Sequence, residues 1–463
     1  MRRGFLFGLA LTLFSALGSV GYAADAETGV AVLANDAASH EVDADAIEPA
    51  AALQFSSLYA FRGLANGRWA RGGLAADEDG NLYGTLLYDG LCDTCGLVYM
   101  LRKPTTPQSK WTYLIIHKFN LSQEDGIAPT GKLVFHKGAI YGTTSAGANF
   151  SCGCGSVFKL KPLNANRTQW AYSRIYRFKS FADGATPIAG IIFGKDEAIY
   201  GVTSSGGRDM AGTVFRLNGS GDANWSKTTL YQFKDATNGG PQGELVFGKD
   251  GALYGTTFGG GKYNRGTVFR MTGSGGKWDF KFIYHFLGVD QPGNSTDGAD
   301  PEGQLIFGKD GMLYGTTVFG GESDWGTIFR LKKPKAGQTA WGYKIVHHFK
   351  SGPQDGRLSH SGLAMDSAGA LYGTTAGGGP HDGGTVYKLV PKANGTYAFS
   401  LVHSFTPRSK NGDSSYGGVL IRGRTVYGPT ITGGLVNPGA LKDGKAEKPG
   451  CRDGCGTVYQ LTP

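Results

Sequence analysis

The sequence predicts an all-β fold, a seven-bladed β-propeller with four antiparallel strands per blade, on three observations. A Leu-Tyr-Gly-Thr-Thr type segment recurs with its tyrosine at Tyr83, Tyr141, Tyr200, Tyr254, Tyr314, Tyr372 and Tyr427, a period of 54–60 residues. Each period holds four short alternating or apolar pieces separated by Gly-rich turns, the pattern of a blade. The region also opens on a strand-like piece of the one type that the last period lacks. Composition agrees: 77 glycines and 12% aromatic residues, without a Gly-X-Y period, suit many short strands and tight turns.

Residues 1–23 read as a signal peptide. Arg2 and Arg3 give the charged start, Phe5 to Leu17 the apolar run, and Gly21-Tyr22-Ala23 the small residues for cleavage near Ala23. A membrane anchor fits less well, because the run is short and broken by Gly18, Ser19 and Gly21. The expected location is secreted or periplasmic, with no transmembrane segment in the mature chain. Residues 24–52 carry Asp25, Glu27, Asp36, Glu41, Asp43, Asp45 and Glu48 and no Lys or Arg, and read as a disordered acidic linker. The chain carries +9; with +2 in the signal and −7 in the linker, residues 53–463 carry +14. That basic body favours acidic partners, an anionic glycan or an envelope protein. Solubility alone explains it equally well. Nothing points to nucleic acid, and a monomer is expected.

Residues 53–463 are the propeller. Strand A is a Leu-Val-Phe piece, as in Glu244-Leu245-Val246-Phe247, and Lys249-Asp250-Gly251 turns it into strand B, the Leu-Tyr-Gly-Thr-Thr segment. Strand C follows a Gly-rich loop and opens at Gly96, Gly155, Gly212, Gly266, Gly326, Gly384 and Gly456. Strand D is aromatic and alternating, as in Trp278 to Phe286. Period-2 alternation and Asp-Gly or Gly-Gly punctuation argue for strands and hairpins. The first piece, Phe55 to Phe61, is a spare strand D, and the last, Gly456 to Leu461, is a strand C without its D. Pairing them completes the seventh blade and covers an open edge. The glycine after each repeat tyrosine is expected to permit close backbone approach. His117, His347 and His403 share a strand-D slot with Tyr59, Tyr176, Tyr231 and Tyr284, which argues for packing between blades rather than metal ligation.

The unit Asp297–Thr317, followed by Gly326-Thr327-Ile328-Phe329-Arg330-Leu331, resembles the GloVer tandem repeat of bacterial exported proteins, and the likeness runs over residues 53–463. The resemblance implies a β-propeller-like repeat and brings no activity, substrate or catalytic residue. Many members of that family carry a C-terminal surface anchor. This sequence stops at Pro463 directly after strand C, so anchoring by that route is not expected.

In a propeller with this strand order the D-to-A and B-to-C loops emerge on one face. The D-to-A loops repeat an Asp/Asn-Gly element at Asn66, Asp125, Asp183, Asp297, Asp355 and Asn411, with Thr237-Asn238 as the exception. These acids read as turn residues bonding their own backbone, ahead of a ring of cation ligands. All six cysteines fall in B-to-C loops of blades 7, 1 and 2: Cys92 and Cys95, Cys152 and Cys154, Cys451 and Cys455. An even count in an oxidising compartment suggests disulfides. Local pairing is expected for Cys92–Cys95 and Cys451–Cys455. A Cys152–Cys154 ring is very small, so bridging to another blade or a free pair stays open there. Zinc is the sharper alternative, but the spacings match no standard finger and no metal is expected.

The same loops offer Trp325 with Asp324, Arg265 with Tyr263, Arg208 with Asp209, and His381 with Asp382 as candidate ligand-binding residues. Exposed aromatics beside charges suit sugar stacking or protein contacts, and equally any loop-rich surface. Blade 7 adds a basic insertion from Leu435 to Lys448. No nucleophile elbow, zinc-protease helix or phosphate loop is present, so no catalytic residue or cofactor is assigned. The expected function is a binding or interaction scaffold for an extracytoplasmic glycan or protein. The alternative is a carbohydrate hydrolase or lyase on the same face, which a convergent acid pair or a His–Tyr–Arg cluster in the central funnel would favour.

Overall fold

The structure, a computed structural model, describes residues 53–463 except 64–65, 90–94, 121–124, 148–151, 223–224, 235–239, 275–276, 289–296, 435–440, 443–444, 447–450 and 452. The signal and linker assignments, Cys92, the Thr237-Asn238 exception and most of the Leu435–Lys448 insertion lie outside the described residues.

Seven four-stranded antiparallel sheets, each ordered A-B-C-D, form the ring expected. Blade 4 is representative: Val246–Phe247 pairs Leu253–Thr257, which pairs Thr267–Ser274, which pairs Lys277–His285. The chain is a seven-bladed β-propeller, and no α-helix occurs among the described residues. Blade 7 is assembled from both ends. Leu420–Arg422, Thr425–Pro429 and Thr457–Thr462 supply A, B and C, and Gln54–Ala60 supplies D, from Gln54 opposite Thr462 to Ala60 opposite Thr457.

Three repeated devices explain the motif. First, the Gly of Leu-Tyr-Gly lies opposite an aromatic residue of strand C, as Gly315 opposite Phe329. A Cβ at Gly315 would stand 2.5 Å from Phe329 Cζ and 2.7 Å from Leu305 Cδ2. The neighbour is therefore a ring, not the backbone expected from sequence. Gly315→Ala is expected to cost about 1–3 kcal/mol through overpacking, read as a lower melting temperature.

Second, the final threonine of strand B bonds the first hydroxyl of strand C, as Thr317 to Thr327 at 2.9 Å and Thr375 to Thr385 at 2.7 Å. In blade 1 two buried leucines, Leu86 and Leu97, take these places. Third, the strand-B tyrosine donates to the turn aspartate that precedes it, and a strand-C arginine closes the triangle. Tyr200 bonds Asp196 at 2.9 Å and Arg216 bonds Asp196 at 2.8 Å. Charge-assisted bonds of this kind satisfy the hydroxyls of these buried tyrosines.

Blades pack through strand D. In every blade the C–D register slips by one residue near the start of strand C, a bulge that turns the following ring toward its neighbour. Tyr59 stacks on Tyr113 at 4.5 Å, His117 on Tyr172 at 4.3 Å, Tyr231 on Phe280 at 3.6 Å, Tyr284 on Tyr343 at 4.2 Å, His347 on Phe399 at 3.9 Å and His403 on Phe55 at 4.1 Å. The loop aspartates serve this slot. Tyr284 donates to Asp297 at 2.6 Å, Tyr176 to Asp183 at 2.7 Å, and His347 bonds Asp355 at 3.0 Å. Asp297 and Asp355 also accept from the next glycine N–H, so they are turn residues that clasp strand D as well.

Candidate functional site

The D-to-A and B-to-C loops do share a face. They pair with each other at Gly126–Ile127 with Ala146–Gly147, Gly298–Ala299 with Phe319–Gly320, and Gly356–Arg357 with Gly377–Gly378. Just beyond this pairing, Trp69, Ala128, Thr186, Asp300, Leu358 and Ser414 adopt positive φ of 53–66°. Positive φ is rare for side chains of this kind and persists only where the surroundings fix it. Here two hydrogen bonds do so. Each of these residues donates its N–H to the residue before strand C of the preceding blade and accepts from its own blade. Asp300 thus receives from Val318 and donates to Arg265.

This turn aims the next residues at the axis. In chain order the first axis-facing residues are Arg71, Thr130, Ile188, Gln242, Glu302, His360 and Tyr416, and two further on come Gly73, Lys132, Gly190, Glu244, Gln304, Gly362 and Gly418. Except for Gly190, both sets line one cavity walled by all seven blades, the mouth of the central channel. Between them sit Gly72, Gly131, Ala189, Gly243, Gly303, Ser361 and Gly417, small because the adjoining blade abuts them. A Cβ on Gly303 would meet the Gly362 nitrogen and the Ser361 backbone within 2.6 Å or less.

Four of these side chains connect across the axis. His360 Nδ1 lies 2.5 Å from Glu302 Oε2, and the other Glu302 oxygen lies 3.5 Å from Arg71 Nη2. The His360 ring stacks on Tyr416 with centroids 4.3 Å apart. Burial pushes the Glu302 carboxyl up, but the bond to His360 and the charges of His360 and Arg71 outweigh it and hold the group below the usual range. Burial raises the Tyr416 phenol, which Glu302 reinforces and Arg71 and Arg357 oppose. Beside them Asp300 is pushed up to about 6, by burial first, with Asp324 and Glu302 adding to it against Arg265. Glu244 accepts from Gly190 N–H at 3.2 Å.

The loop residues picked from sequence stand outside this mouth. The Arg357 guanidinium lies over the Trp325 ring at 5.1 Å and holds Asp382 by two bonds of 2.9 and 2.7 Å, which brings Trp325 beside the loop of His381. Asp324 Oδ1 accepts from Gly320 N–H at 2.8 Å, closing its own loop. Tyr263 is exposed under the Lys262 ammonium at 5.1 Å, and the Arg208 N–H donates to Gln232 at 2.7 Å. Arg265, Tyr263 and Arg208 sit in separate loops of blades 4 and 3. Reasoning from sequence missed the axis residues. Their signal was present: one column between constant small residues holds seven different side chains.

Two disulfides close within their own loops. Cys451–Cys455 forms as expected, with Cα atoms 5.2 Å apart, and Cys152–Cys154, left open from sequence, also pairs locally at 5.1 Å. Cys95 is disulfide-bonded.

The Gloeobacter/Verrucomicrobia repeat matches residues 46–222, 155–295 and 222–442, and the chain belongs to this family of repeat proteins. No curated protein matches. Among solved structures, a candidate 6-phosphogluconolactonase from Bacteroides fragilis is 16% identical over 73% of this chain and 83% of that one, with a TM-score of 0.46. A Dyadobacter fermentans protein of unknown function is 10% identical over 89% and 100%, with a TM-score of 0.44. PorZ, a surface component of the type-IX secretion system of Porphyromonas gingivalis, is 11% identical over 80% of this chain and 46% of its own, with a TM-score of 0.44. Likenesses this distant carry no function across.

Proposed function

We propose that the chain works outside the cytoplasm as a monomeric glycan-binding propeller, with the ligand seated at the channel mouth. The observation that carries this reading is the axis-facing column. The repeat is regular nearly everywhere, yet Arg71, Thr130, Ile188, Gln242, Glu302, His360 and Tyr416 differ at one equivalent position. Packing between repeated blades gives no reason for this column to differ at all seven positions, whereas an asymmetric ligand does. Donors and acceptors around an aromatic pair suit a polyhydroxylated ring. Arg71, with 48% of its side chain exposed, together with Lys132 and the +14 body, favours an acidic polymer. The loop disulfides support an oxidising compartment. Trp325 with Arg357 extends the surface along which a longer chain would lie.

A glycan array followed by titration calorimetry tests this. Binding to acidic polysaccharides that weakens with salt is expected, and Arg71→Ala with Lys132→Ala should weaken it by about tenfold or more. Array silence, or binding indifferent to both substitutions, would overturn the assignment. Catalysis at the same mouth is favoured by one specific feature, the joined His360, Glu302, Arg71 and Tyr416.

A further inference from the structure

Glu302, held ionised, accepts the Nδ1 proton of His360. In the neutral imidazole that bond selects the tautomer with a lone pair on Nε2, which has no protein partner among the described residues. Tyr416 lies against the same ring and stays protonated. Arg71 retains solvent access on the opposite side of Glu302. A base, an acid and a cation therefore meet in one partly enclosed cavity.

We infer that this mouth cleaves 4-linked uronate polysaccharides by β-elimination, with His360 as base, Tyr416 as acid and Arg71 as the partner of the substrate carboxylate. The inference rests on the glycan-binding reading and adds a reaction to it. His360 Nε2 takes the proton from C5 of the uronate, and the C5–H electron pair becomes the C4=C5 bond. The C4–O4 bond breaks with its pair on O4, which receives the Tyr416 hydroxyl proton. Solvent carries the proton from His360 back to Tyr416, so no water, oxidant or reductant is consumed. Charge grows on the substrate carboxylate as C5 is deprotonated, and a guanidinium aimed there stabilises it more in the transition state than before.

Hydrolysis fits the same residues poorly. Glycoside hydrolysis uses a carboxylic acid kept protonated beside a second carboxylate. Glu302 is held ionised between His360 and Arg71, and Glu244 is engaged by Gly190. Glu302 acts through His360 and is a positioning residue.

Polygalacturonate and alginate, with dextran as the neutral control, are the probes for the full exported chain. The expected result is ultraviolet absorbance from the conjugated C4=C5 bond on a uronate polymer. It should fall by about 100-fold or more in His360→Gln, the range lost with a general base. Tyr416→Phe, which removes one oxygen, should fall comparably while binding and melting temperature hold, and it keeps the test valid if His360→Gln folds badly. Binding without absorbance overturns the elimination and leaves the binding reading standing. Release of reducing ends without absorbance overturns it in favour of hydrolysis. Failure to bind either polymer overturns the elimination, and the glycan array decides the binding reading separately.

Discussion

A chain lacking residues 53–61 is expected to lose cooperative folding, because that segment is one strand of blade 7 and part of two inter-blade cores. It supplies six register pairs to Thr457–Thr462. Phe55 stacks on His403 at 4.1 Å and on Tyr459 at 5.7 Å, and Tyr59 stacks on Tyr113 of blade 1 at 4.5 Å. Phe61 is fully buried, 5.2 Å from the Tyr99 ring. Without the strand, Thr457–Thr462 presents an unpaired edge over exposed apolar surface, which promotes association. The graded version is Phe61→Ala, expected to cost about 3–5 kcal/mol in urea unfolding. Phe286→Ala, at the equivalent position within continuous chain, is the control, and the two losses should agree within about 1 kcal/mol if a strand joined without covalent continuity packs like the others. A Phe61→Ala loss near zero would mean that the first strand does not hold the ring.

Acid is expected to loosen that same junction. His403 occupies the slot where His117 and His347 meet Asp125 and Asp355, but its loop carries Asn411 in place of an acid. Burial against Phe55 lowers its imidazole from 6.5 to about 4. Between those values the unfolded chain binds a proton that the folded protein refuses, so stability rises with pH there. The contribution is complete above about 6.5 and is lost as pH falls through about 4, amounting to ~3 kcal/mol at most. His403→Tyr, the residue used in four other blades, should match the wild type at pH 7 and exceed it by ~2 kcal/mol near pH 4.5. Urea midpoints at both pH values check this. Equal acid sensitivity in the two proteins would show that His403 does not sense it.

The fold was legible because a propeller repeats its instructions. The strands, the blade order and the closure by Phe55–Phe61 follow from the column of tyrosines and from one strand missing at the end. What the glycine beside each tyrosine does was less legible, since the ring above it belongs to strand C, 14 residues later in the case of Gly315 and Phe329. The loop acids read correctly as turn formers, but their second role, clasping the strand-D ring, depends on a bulge that no local pattern announces. The channel mouth was hardest. Arg71, Glu302, His360 and Tyr416 come from blades 1, 5, 6 and 7, so no spacing in the chain groups them. Exposed aromatics and charges drew attention to Trp325 and Tyr263 instead, because chemistry on a loop stands out while a single varying column inside a repeat does not. Cys152–Cys154 shows the opposite limit: proximity in sequence was plain, and only the loop backbone decided that the two would join.

In the proposed function the varying axis residues, rather than the loop tips, receive the ligand. A crystal structure with a uronate tetrasaccharide tests it most directly. The expected complex has a sugar carboxylate within hydrogen-bonding distance of Arg71, with C5 of that ring facing His360 Nε2 and O4 facing the Tyr416 hydroxyl. An oligosaccharide lying only on Trp325, Tyr263 or the outer strands, with the channel mouth untouched, would contradict it.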